Sequence, residues 1–483
     1  MARKTTSSSK SAAAVKTRVE RDSMGEMSVP ASALYGASTQ RAVDNFPVSG
    51  RPVPCEVVHA FGLLKRACAE TNVGLKKLDQ TRARLIVRAC QDIADGKYDE
   101  HFPIDIFQTG SGTSTNMNVN EVVANICCVA QKKPIGSRTH RNAVHPNDHV
   151  NMGQSSNDTF PTAMQVAGAM ASNAALIPAM KKLATELKKK ARKFDKVVKI
   201  GRTHLMDATP IRLGQEFSGY AAQAQYCVAR AERAMKRLAE NLPIGGTAVG
   251  TGINTHREFG KRVCAALSKA TKVKFNEASN HFEAQATRDC VVEASGELKT
   301  IAVALSKIAN DIRWLGSGPR CGLFELSLPA IQPGSSIMPG KVNPVICESV
   351  VQVACQVVAN DTAISLGGFG GVGSLLELNV AMPMMADNLL TSIRILANVS
   401  TIFVDKLLAD LEVNKAIATG MVEKSLMLCT KFAPVIGYDN AAKMAKTAFA
   451  EGLTIREYAT KHKLVDPKML DELLDGYSQT EPE

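Results

Sequence analysis

The sequence has few aromatic residues and no apolar run long enough to cross a bilayer. Of its 483 residues, 5 % are aromatic and one is tryptophan, and no stretch of about 18 consecutive apolar residues occurs. Its 12 cysteines are scattered, without a C-x-x-C pair or a Cys/His cluster at metal-ligand spacing. We therefore predict no transmembrane segment, signal peptide, metal site or disulfide, and expect reduced, mostly buried thiols in a cytosol-like compartment.

Basic residues outnumber acidic ones, which gives a formal net charge of +12. Such an excess would suit a nucleic-acid partner. However, part of it lies in the first eighteen positions and part on solvated helix faces such as 188–190, with no RNA-type aromatic motif among the basic residues. We therefore predict no nucleic-acid partner. A small anionic substrate is another use for the basic groups.

The first 17 residues are rich in Ser, Ala and Lys, and no acidic residue precedes Glu20. We predict that residues 1–17 form a disordered basic extension. Their composition resembles a transit peptide, but Val15 is their one large aliphatic residue, so an amphipathic targeting helix is poorly supported. We expect a cytoplasmic protein, with mitochondrial import as the alternative.

Abundant alanine and few alternating β-branched runs favour helix over sheet. Three segments place apolar residues at helical spacing along one face. These are Ala294, Leu298, Ile301, Leu305 and Ile308; Ile346, Val350, Val353, Val357 and Ile364; and Leu176, Met180, Leu183 and Leu187. Because such faces must be covered, we predict an all-α fold around a bundle of long helices.

The chain exceeds the size at which a single hydrophobic core keeps growing, so several domains are expected. The parts before and after the long helices contain more glycine and proline. We predict an N-terminal domain over 18–154, a central helical-bundle domain over 155–412 and a small C-terminal helical domain over 413–483.

Four segments interrupt the helical pattern with polar residues that neither a core nor a solvated helix face requires. They are segment 1 (108–121), segment 2 (145–158), segment 3 (201–217) and segment 4 (332–344).

In segment 1, Gly110 and Gly112 flank Ser111, and Thr113 follows. Glycine permits close approach of a ligand to the backbone, and small hydroxyls before a helix suit an anionic oxygen. An ordinary capped turn uses the same residue types and is favoured on this stretch alone. In segment 2, residues 155–157 offer similar donors, and 145–148 would form a turn leading into a helix.

Segment 3 contains Thr203 and His204 in a non-helical approach to Pro210. A lone histidine is more often structural than catalytic, and its neighbours raise the odds of a catalytic role only modestly.

Segment 4 has prolines near both ends, which prevent a continuous helix, and two glycines that permit unusual backbone conformations. Such a loop can present N–H groups to negative charge, with Lys341 as a cation and Asn343 as a neutral donor. Glu348, on the helix that follows, would be able to orient a histidine. The residues themselves predict an anion-binding loop.

These segments together resemble the fumarase/aspartase superfamily, and within it the class II fumarases. The signature is G-S-S-I-M-P-G-K-V-N-P in segment 4, and segments 1 to 3 resemble fumarase blocks in the same order. Further similar blocks are G-G-T-A-V-G-T-G-I-N (245–254), N-D-I-R-W-L-G-S-G-P-R (310–320) and I-G-Y-D-N-A-A-K (436–443). The resemblance extends from about Arg18 to the end of the last domain.

The resemblance implies a three-domain, all-α protomer whose central helices pack into a homotetramer, with active sites where segments of three subunits meet. The implied reaction is the reversible hydration of fumarate to L-malate, without a metal or organic cofactor.

The resemblance also implies residue roles. Ser335 would take the C–H proton of malate, His204 oriented by Glu348 would handle the water proton, and Lys341 and Asn343 would hold a carboxylate. Further substrate contacts would come from Ser111, Gly112, Thr113, Ser155, Ser156, Asn157, Thr203, Ser336 and Val342, and a second anion site from His145, Pro146, Asn147 and Asp148. The sequence departs from the family at 152–153, where Met-Gly replaces the usual Lys-Ser.

Aspartase, which shares the signature loop and eliminates ammonia from aspartate, is the alternative enzyme. Aspartases typically have glutamine in place of His204 and tend to have alanine in place of Ser111. Argininosuccinate and adenylosuccinate lyases resemble the chain less, because their loops usually depart from P-G-K-V-N-P. A catalytically silent, crystallin-like relative is the alternative from another class, but such a protein has no need of Ser335, Lys341, Asn343 and His204 together.

Overall fold

The computed structural model describes residues 16–482, and most of them are helical. The helices are α1 (Ala37–Asn45), α2 (Cys55–Gly74), α3 (Gln80–Ala94), α4 (Thr113–Ala130), α5 (Ser156–Ala171), α6 (Ile177–Lys193), α7 (Leu213–Ala239), α8 (Phe259–Thr271), α9 (His281–Ala286), α10 (Asp289–Leu315), α11 (Val345–Gly368), α12 (Met382–Phe403), α13 (Lys415–Val422), α14 (Ala433–Ile436), α15 (Tyr438–Glu451), α16 (Ile455–Lys461) and α17 (Pro467–Leu473). Short 3₁₀ turns occupy Asp99–His101, Leu426–Phe432 and Ser478–Thr480, and π turns occupy Pro146–Val150, Ser172–Leu176 and Val404–Leu408. The predicted all-α class is confirmed.

Eight short strands pair into antiparallel two-stranded sheets, which the sequence reasoning did not predict. They are β1 (Thr17–Asp22) with β2 (Gly25–Pro30), β3 (Val198–Thr203) with β4 (Met206–Arg212), β5 (Leu326–Ser327) with β8 (Glu412–Val413), and β6 (Ser374–Leu375) with β7 (Leu378–Asn379). Within the described residues, no helix has the length and apolar character to cross a membrane.

The predicted apolar stripes lie in long helices with their side chains turned inward. On α10, the residues from Ala294 to Ile308 at 4-3-4-3 spacing are all at most 1 % exposed. On α11, Val350, Val357 and Ile364 are buried while Ile346 and Val353 are half-buried. The stripe from Leu176 to Leu187 on α6 and the turn before it is fully buried. Helical periodicity therefore located the buried faces correctly.

The chain divides into two compact units, each assembled from three segments. Unit 1 comprises 16–171, Ala234–Ser295 and Asn360–Thr391, and unit 2 comprises Ser172–Arg233, Gly296–Ala359 and 392–482. The three-domain division stays a prediction. The predicted disordered extension lies outside the described residues except for its last two positions, and Thr17 already belongs to β1.

In unit 1, α2 packs closely on α3 and α5. A Cβ at Gly62 of α2 would lie 2.7 Å from Cys90 O of α3, so glycine sets the distance between these two helices. On the α5 side, the rings of Phe61 and Phe160 pack with centroids 5.9 Å apart. This tight packing fixes α5, whose first turn contains part of segment 2.

In unit 2, aromatic packing joins α6 to α7, and a separate small core lies near the C-terminus. Phe194 and Phe217 meet edge to face with centroids 5.2 Å apart. The C-terminal core is built from apolar residues of α13 to α17 and the 3₁₀ turn before α14, including Phe432, Met444 and Ile455.

All twelve cysteines are free in this structure. Most of them are buried, which was predicted. The exposed ones are Cys55, Cys321 and Cys355.

Candidate active site

Segment 1 enters helix α4 through a glycine in the left-handed region. Gly112 has φ of +73°, its N–H donates to Thr109 O at 2.8 Å, and α4 begins at the next residue. A Cβ at this position would lie 2.1 Å from the Phe160 ring. Glycine is therefore needed both for the turn and for the contact of segment 1 with α5. The helix predicted to follow this turn is confirmed.

Segments 1 and 2 meet in a line of hydroxyl groups, which we call the hydroxyl row. The Ser111 and Thr113 hydroxyl oxygens are 2.8 Å apart, and the Thr113 and Ser156 hydroxyl oxygens are 2.7 Å apart. Ser156 Oγ in turn donates to Asn157 Oδ1 at 3.3 Å. The structure thus brings together polar residues that lie more than 40 positions apart in the sequence.

Ser155 and Asn157 complete this cluster. Asn157 N–H donates to Ser155 Oγ at 3.2 Å, and its side-chain amide donates to Ala248 O at 2.8 Å. Block 245–254 therefore contacts segment 2. In the sequence analysis this block was noted only for its similarity to the fumarase family.

Asp158 links the same block to segment 2, a role that the sequence reasoning missed. Its buried carboxylate accepts the backbone N–H groups of Ser155, Gly245 and Thr247 at 2.9 to 3.1 Å. Burial raises the pKa of Asp158 to about 6, and the three backbone hydrogen bonds and the charge of Lys65 oppose this rise. The carboxylate therefore fixes the backbone just before α5.

Lys65 of α2 is a second residue that the sequence reasoning missed. Its side chain is fully buried, and Nζ donates to Asn116 Oδ1, Asn151 Oδ1 and Gln154 Oε1 at 2.7 to 3.0 Å. Burial lowers the pKa of Lys65 to about 8. The ammonium group thus connects α4 to the chain that leads into α5.

The first half of segment 2 forms a compact turn. His145 Nδ1 accepts the N–H groups of Asn147 and Asp148 at 3.3 and 3.2 Å, and Pro146 begins the π turn. The His145 imidazole is 3.3 Å from an Asp148 oxygen. These four residues lie together as predicted from the spacing, while their anion-binding role stays a prediction.

Segment 3 forms the β3–β4 hairpin, with the predicted histidine at its tip. Thr203 pairs with Met206, and the two turn residues His204 and Leu205 have φ of +57° and +61°. Two successive left-handed residues are typical of a type I′ turn, which usually contains Asn or Gly. Because such conformations are costly for other residues, this turn is a candidate functional feature.

A buried carboxylate pairs with two basic residues of β3 within unit 2. Glu325 is fully buried and lies 2.8 Å from Arg202 Nη1 and 3.2 Å from Lys199 Nζ, both on β3. Lys199 also pairs with Glu216 of α7 at 3.2 Å. The exposed tip therefore continues from a strand whose basic residues form ion pairs with a buried carboxylate.

Segment 4 is an irregular loop that closes on itself. Gly334 N–H donates to Lys341 O at 2.8 Å, and Asn343 Nδ2 donates to Gly334 O at 2.6 Å. Within the loop, Ser335 Oγ accepts the N–H groups of Ile337 and Met338 at 3.2 and 3.0 Å. The predicted absence of helix in this segment, and the helix α11 after it, are confirmed.

The loop borders two pockets of about 350 Å³ each in unit 2. They share Gly316, Gly318, Lys341, Val342, Asn343 and Pro344 as lining residues, so the block 310–320 contacts the signature loop. The Lys341 side chain is exposed and has no ion-pair partner among the described residues. This cation is available to a negatively charged ligand.

Two predicted roles remain open in unit 2. Glu348 lies in the first turn of α11 and is half-buried. In the described part of the chain, it shares no hydrogen bond with His204. Ser336 is exposed on segment 4 beside Ser335. Their catalytic and binding roles stay predictions.

Known proteins resemble nearly the whole chain. A family model described as Lyase matches residues 25–359, and one described as Fumarase C C-terminus matches residues 428–478. The chain is 54 % identical over 460 residues to the class II fumarate hydratase of Corynebacterium glutamicum, a match that covers 95 % of this chain and 94 % of that protein. The chain belongs to the class II fumarate hydratase family.

Other members of the class II fumarate hydratase family and solved structures agree with this assignment. The enzyme of Mycobacterium tuberculosis is 52 % identical over 459 residues, which cover 95 % of this chain and 94 % of that protein. The crystal structure of recombinant class II fumarase from Schistosoma mansoni matches with a TM-score of 0.93 and 40 % identity, over 97 % of this chain and 100 % of that one. A fumarate lyase:delta crystallin structure from Brucella melitensis matches with a TM-score of 0.86 and 41 % identity, over 95 % and 100 % of the two chains.

Replacing Lys65 by methionine should loosen the polar segments of this fumarate hydratase family member. One buried and two half-buried amide oxygens would lose their donor, which we expect to lower the free energy of unfolding by about 2–4 kcal/mol and to speed hydrogen exchange over 147–157. Lys190→Met is the matched control, because Lys190 is also buried but donates to Ala409 O and Leu411 O. Equal exchange rates over 147–157 in the two variants would contradict the role of Lys65.

The pKa of Asp158 predicts an unusual pH dependence of stability. Its folded-state pKa lies above that of the unfolded chain, so its contribution is largest at acid pH and is lost as pH rises through about 6. Between pH 4.5 and 7, the unfolding free energy of wild type relative to Asp158→Asn should therefore fall by about 2 kcal/mol. Urea unfolding at one fixed protein concentration measures the difference.

Asp105 provides a control of opposite sign in the same unit. Burial would raise its pKa, but hydrogen bonds from Phe107 N, from the backbone and hydroxyl of Ser49 and from Gly50 N outweigh this and lower the pKa. The stability of wild type relative to Asp105→Asn should therefore not fall between pH 4.5 and 7. If the unfolding free energy of wild type relative to Asp158→Asn rose over the same pH range, the raised pKa of Asp158 would be refuted.

Proposed function

We propose that this chain catalyses the reversible hydration of fumarate to L-malate. Its membership of the class II fumarate hydratase family is the observation that carries the proposal. The substrates are small dicarboxylates. They fit a chain that supplies hydroxyl donors in unit 1 and, on the signature loop in unit 2, a lysine without an ion-pair partner in the described part of the chain. We propose no metal and no organic cofactor for the reaction.

In the direction from malate to fumarate, the proposed base is Ser335. A serine hydroxyl is a poor base, so its anion must be stabilised before it can take a C–H proton. Ser335 Oγ already accepts two backbone N–H groups, from Ile337 and Met338, and these bonds would strengthen with negative charge on the oxygen. The closed loop therefore supports an oxyanion at this position.

Removal of the proton leaves a dianionic intermediate, whose new charge spreads onto the adjacent carboxylate. We assign Lys341 and Asn343 to this carboxylate, because a fixed cation and an amide donor stabilise charge as it develops. One N–H of Asn343 holds Gly334 O, which fixes the orientation of the amide and leaves the other N–H for substrate.

The remaining substrate contacts are assigned to both units. Ser111, Gly112, Thr113, Ser155, Ser156, Asn157, Thr203, Ser336 and Val342 would surround the substrate, with neutral donors toward its second carboxylate. His204, oriented by Glu348, would accept or return the water proton.

We further propose a homotetramer in which different subunits complete each active site, and a cytoplasmic location.

The exposed apolar side chains of segment 4 support the proposed assembly. Ile337 is 83 % exposed, and Met338 and Val342 are 49 % and 46 % exposed. A loop that places such side chains in water beside a catalytic serine is better suited to an interface than to free solution.

Aspartase is disfavoured by the hydroxyl row. Alanine, which aspartases tend to have at position 111, would remove the first hydroxyl of the row and its 2.8 Å contact with Thr113. The chain retains both Ser111 and His204, the two positions at which the resemblance separates the two activities.

Purified protein should consume the ultraviolet absorbance of fumarate in ammonia-free buffer and form malate. Added ammonia should not change the initial rate. A rate that requires ammonia, with aspartate as product, would assign the chain to the aspartases. Inactivity under both conditions would favour a silent structural relative.

Ser335→Ala should leave a folded oligomer with kcat lowered by about 10³-fold or more, because the proposed base is lost. Ser268→Ala is the control, since the Ser268 hydroxyl holds Cys264 O and Phe275 N in a helix end away from all four polar segments. Circular dichroism and size-exclusion chromatography check the fold. Near-normal kcat in Ser335→Ala would remove Ser335 from the role of base.

A further inference from the structure

Three potential metal ligands converge at the start of helix α2 in unit 1. Cys55 is the first residue of α2, His59 lies one turn further along it, and Asp99 is in the 3₁₀ turn after α3. One ligand atom from each residue lies within 4.8 Å of the others. The predicted absence of a metal site did not consider this cluster, because C-x-x-x-H spacing aligns two ligands on a helix and the third comes from a distant turn.

The three side chains are already directed toward one another. His59 Nε2 and Asp99 Oδ1 are 2.9 Å apart, and Cys55 Sγ is 3.6 Å from Glu56 Oε2. Gly96 has φ of +75°, and a Cβ there would lie 3.3 Å from His59 Nε2 and 3.5 Å from Asp99 Oδ2. A glycine at this position thus keeps space open on the ligand side of the imidazole.

The charges around Cys55 favour a cation. A carboxylate lies beside each of two ligand atoms: Glu56 Oε2 is 3.6 Å from Cys55 Sγ, and Asp99 Oδ1 is 2.9 Å from His59 Nε2. Lys97, the nearest lysine in sequence to Asp99, forms ion pairs with Asp92 and Asp95 at 2.5 and 3.5 Å. The local excess of carboxylates would offset the charge of a divalent ion, and Cys55 would release its thiol proton to solvent on binding it.

We propose that Cys55, His59 and Asp99 bind one zinc ion on each chain. Sulfur, imidazole nitrogen and carboxylate oxygen together suit a borderline-soft divalent ion, and zinc accepts this combination at four-coordinate sites. The fourth position is open to water or to Glu56. None of these residues belongs to the four polar segments, so the site is separate from the proposed hydration chemistry.

The distances allow such a site after small side-chain rotations. Ligand atoms of a tetrahedral zinc site are about 3.3–3.8 Å apart, given metal–ligand bonds of about 2.0–2.3 Å. To reach this spacing, the 2.9 Å distance between His59 Nε2 and Asp99 Oδ1 must lengthen by about half an ångström. Any pair of ligand atoms that is as much as 4.8 Å apart must come closer by about 1 Å. Cys55 and Asp99 are exposed and His59 is half-buried, so these rotations do not require the core to move.

Metal titration of the purified protein tests the proposal. After removal of metal with a chelator, Zn²⁺ is titrated in competition with a chromophoric chelator, and Co²⁺ is titrated as a spectroscopic probe. We expect one zinc per chain and a thiolate-to-cobalt charge-transfer absorption. Both Cys55→Ser and His59→Gln should weaken zinc binding at least about tenfold, and Cys55→Ser should abolish the absorption.

Cys321→Ser is the matched control, because Cys321 is also an exposed free thiol but lies in unit 2. It should bind zinc as the wild type does. Unchanged affinity in Cys55→Ser would overturn the proposal, and so would an effect of Cys55→Ser without one of His59→Gln, since that result indicates a single reactive thiol. Failure of the fumarate assay would leave these outcomes unaffected, so the two proposals fail separately.

Discussion

The buried ammonium group of Lys65 is the interaction on which the polar segments of unit 1 depend. No carboxylate of residues 16–482 pairs with it directly; instead, it donates to three amide oxygens, on Asn116, Asn151 and Gln154. A buried charge without hydrogen bonds would cost several kcal/mol, so these three oxygens must stay in place. Because Asn116 is on α4 while the other two precede α5, one charge sets the spacing of the helices that present the hydroxyl row.

Units 1 and 2 present their polar residues by different physical means. In unit 1, small hydroxyls lie at helix starts and are held by buried groups such as Lys65 and Asp158. In unit 2, His204 lies at an exposed hairpin tip, and Ser335 lies on a loop held mainly by its own hydrogen bonds. In the proposed reaction, the unit 1 donors would only bind substrate and can be fixed in advance, whereas His204 and Ser335 would exchange protons and benefit from access to solvent.

Much of the architecture could be predicted from the sequence, because helical periodicity, and the glycines and prolines that interrupt helices, are local signals. The buried stripe of α10, the helix start at Thr113 and the irregular segment 4 followed from such signals. Lys65 could not be predicted in this way, since one lysine in a helix does not reveal which face is buried. The contacts of Asp158 with 245–247, and of Asp99 with His59, depend on chain segments brought together only by folding.

The hydroxyl row has a direction in the unliganded chain. Asn157 Oδ1 can only accept, so Ser156 must donate to it; each hydroxyl has a single proton, so Thr113 must donate to Ser156, and Ser111 to Thr113. All three protons therefore point the same way, and the outer end of the row at Ser111 is an acceptor. Ser111 can therefore donate to an anion only by giving up its hydrogen bond to Thr113. Anion binding at Ser111, as proposed, would thus require at least one hydroxyl of the row to reorient.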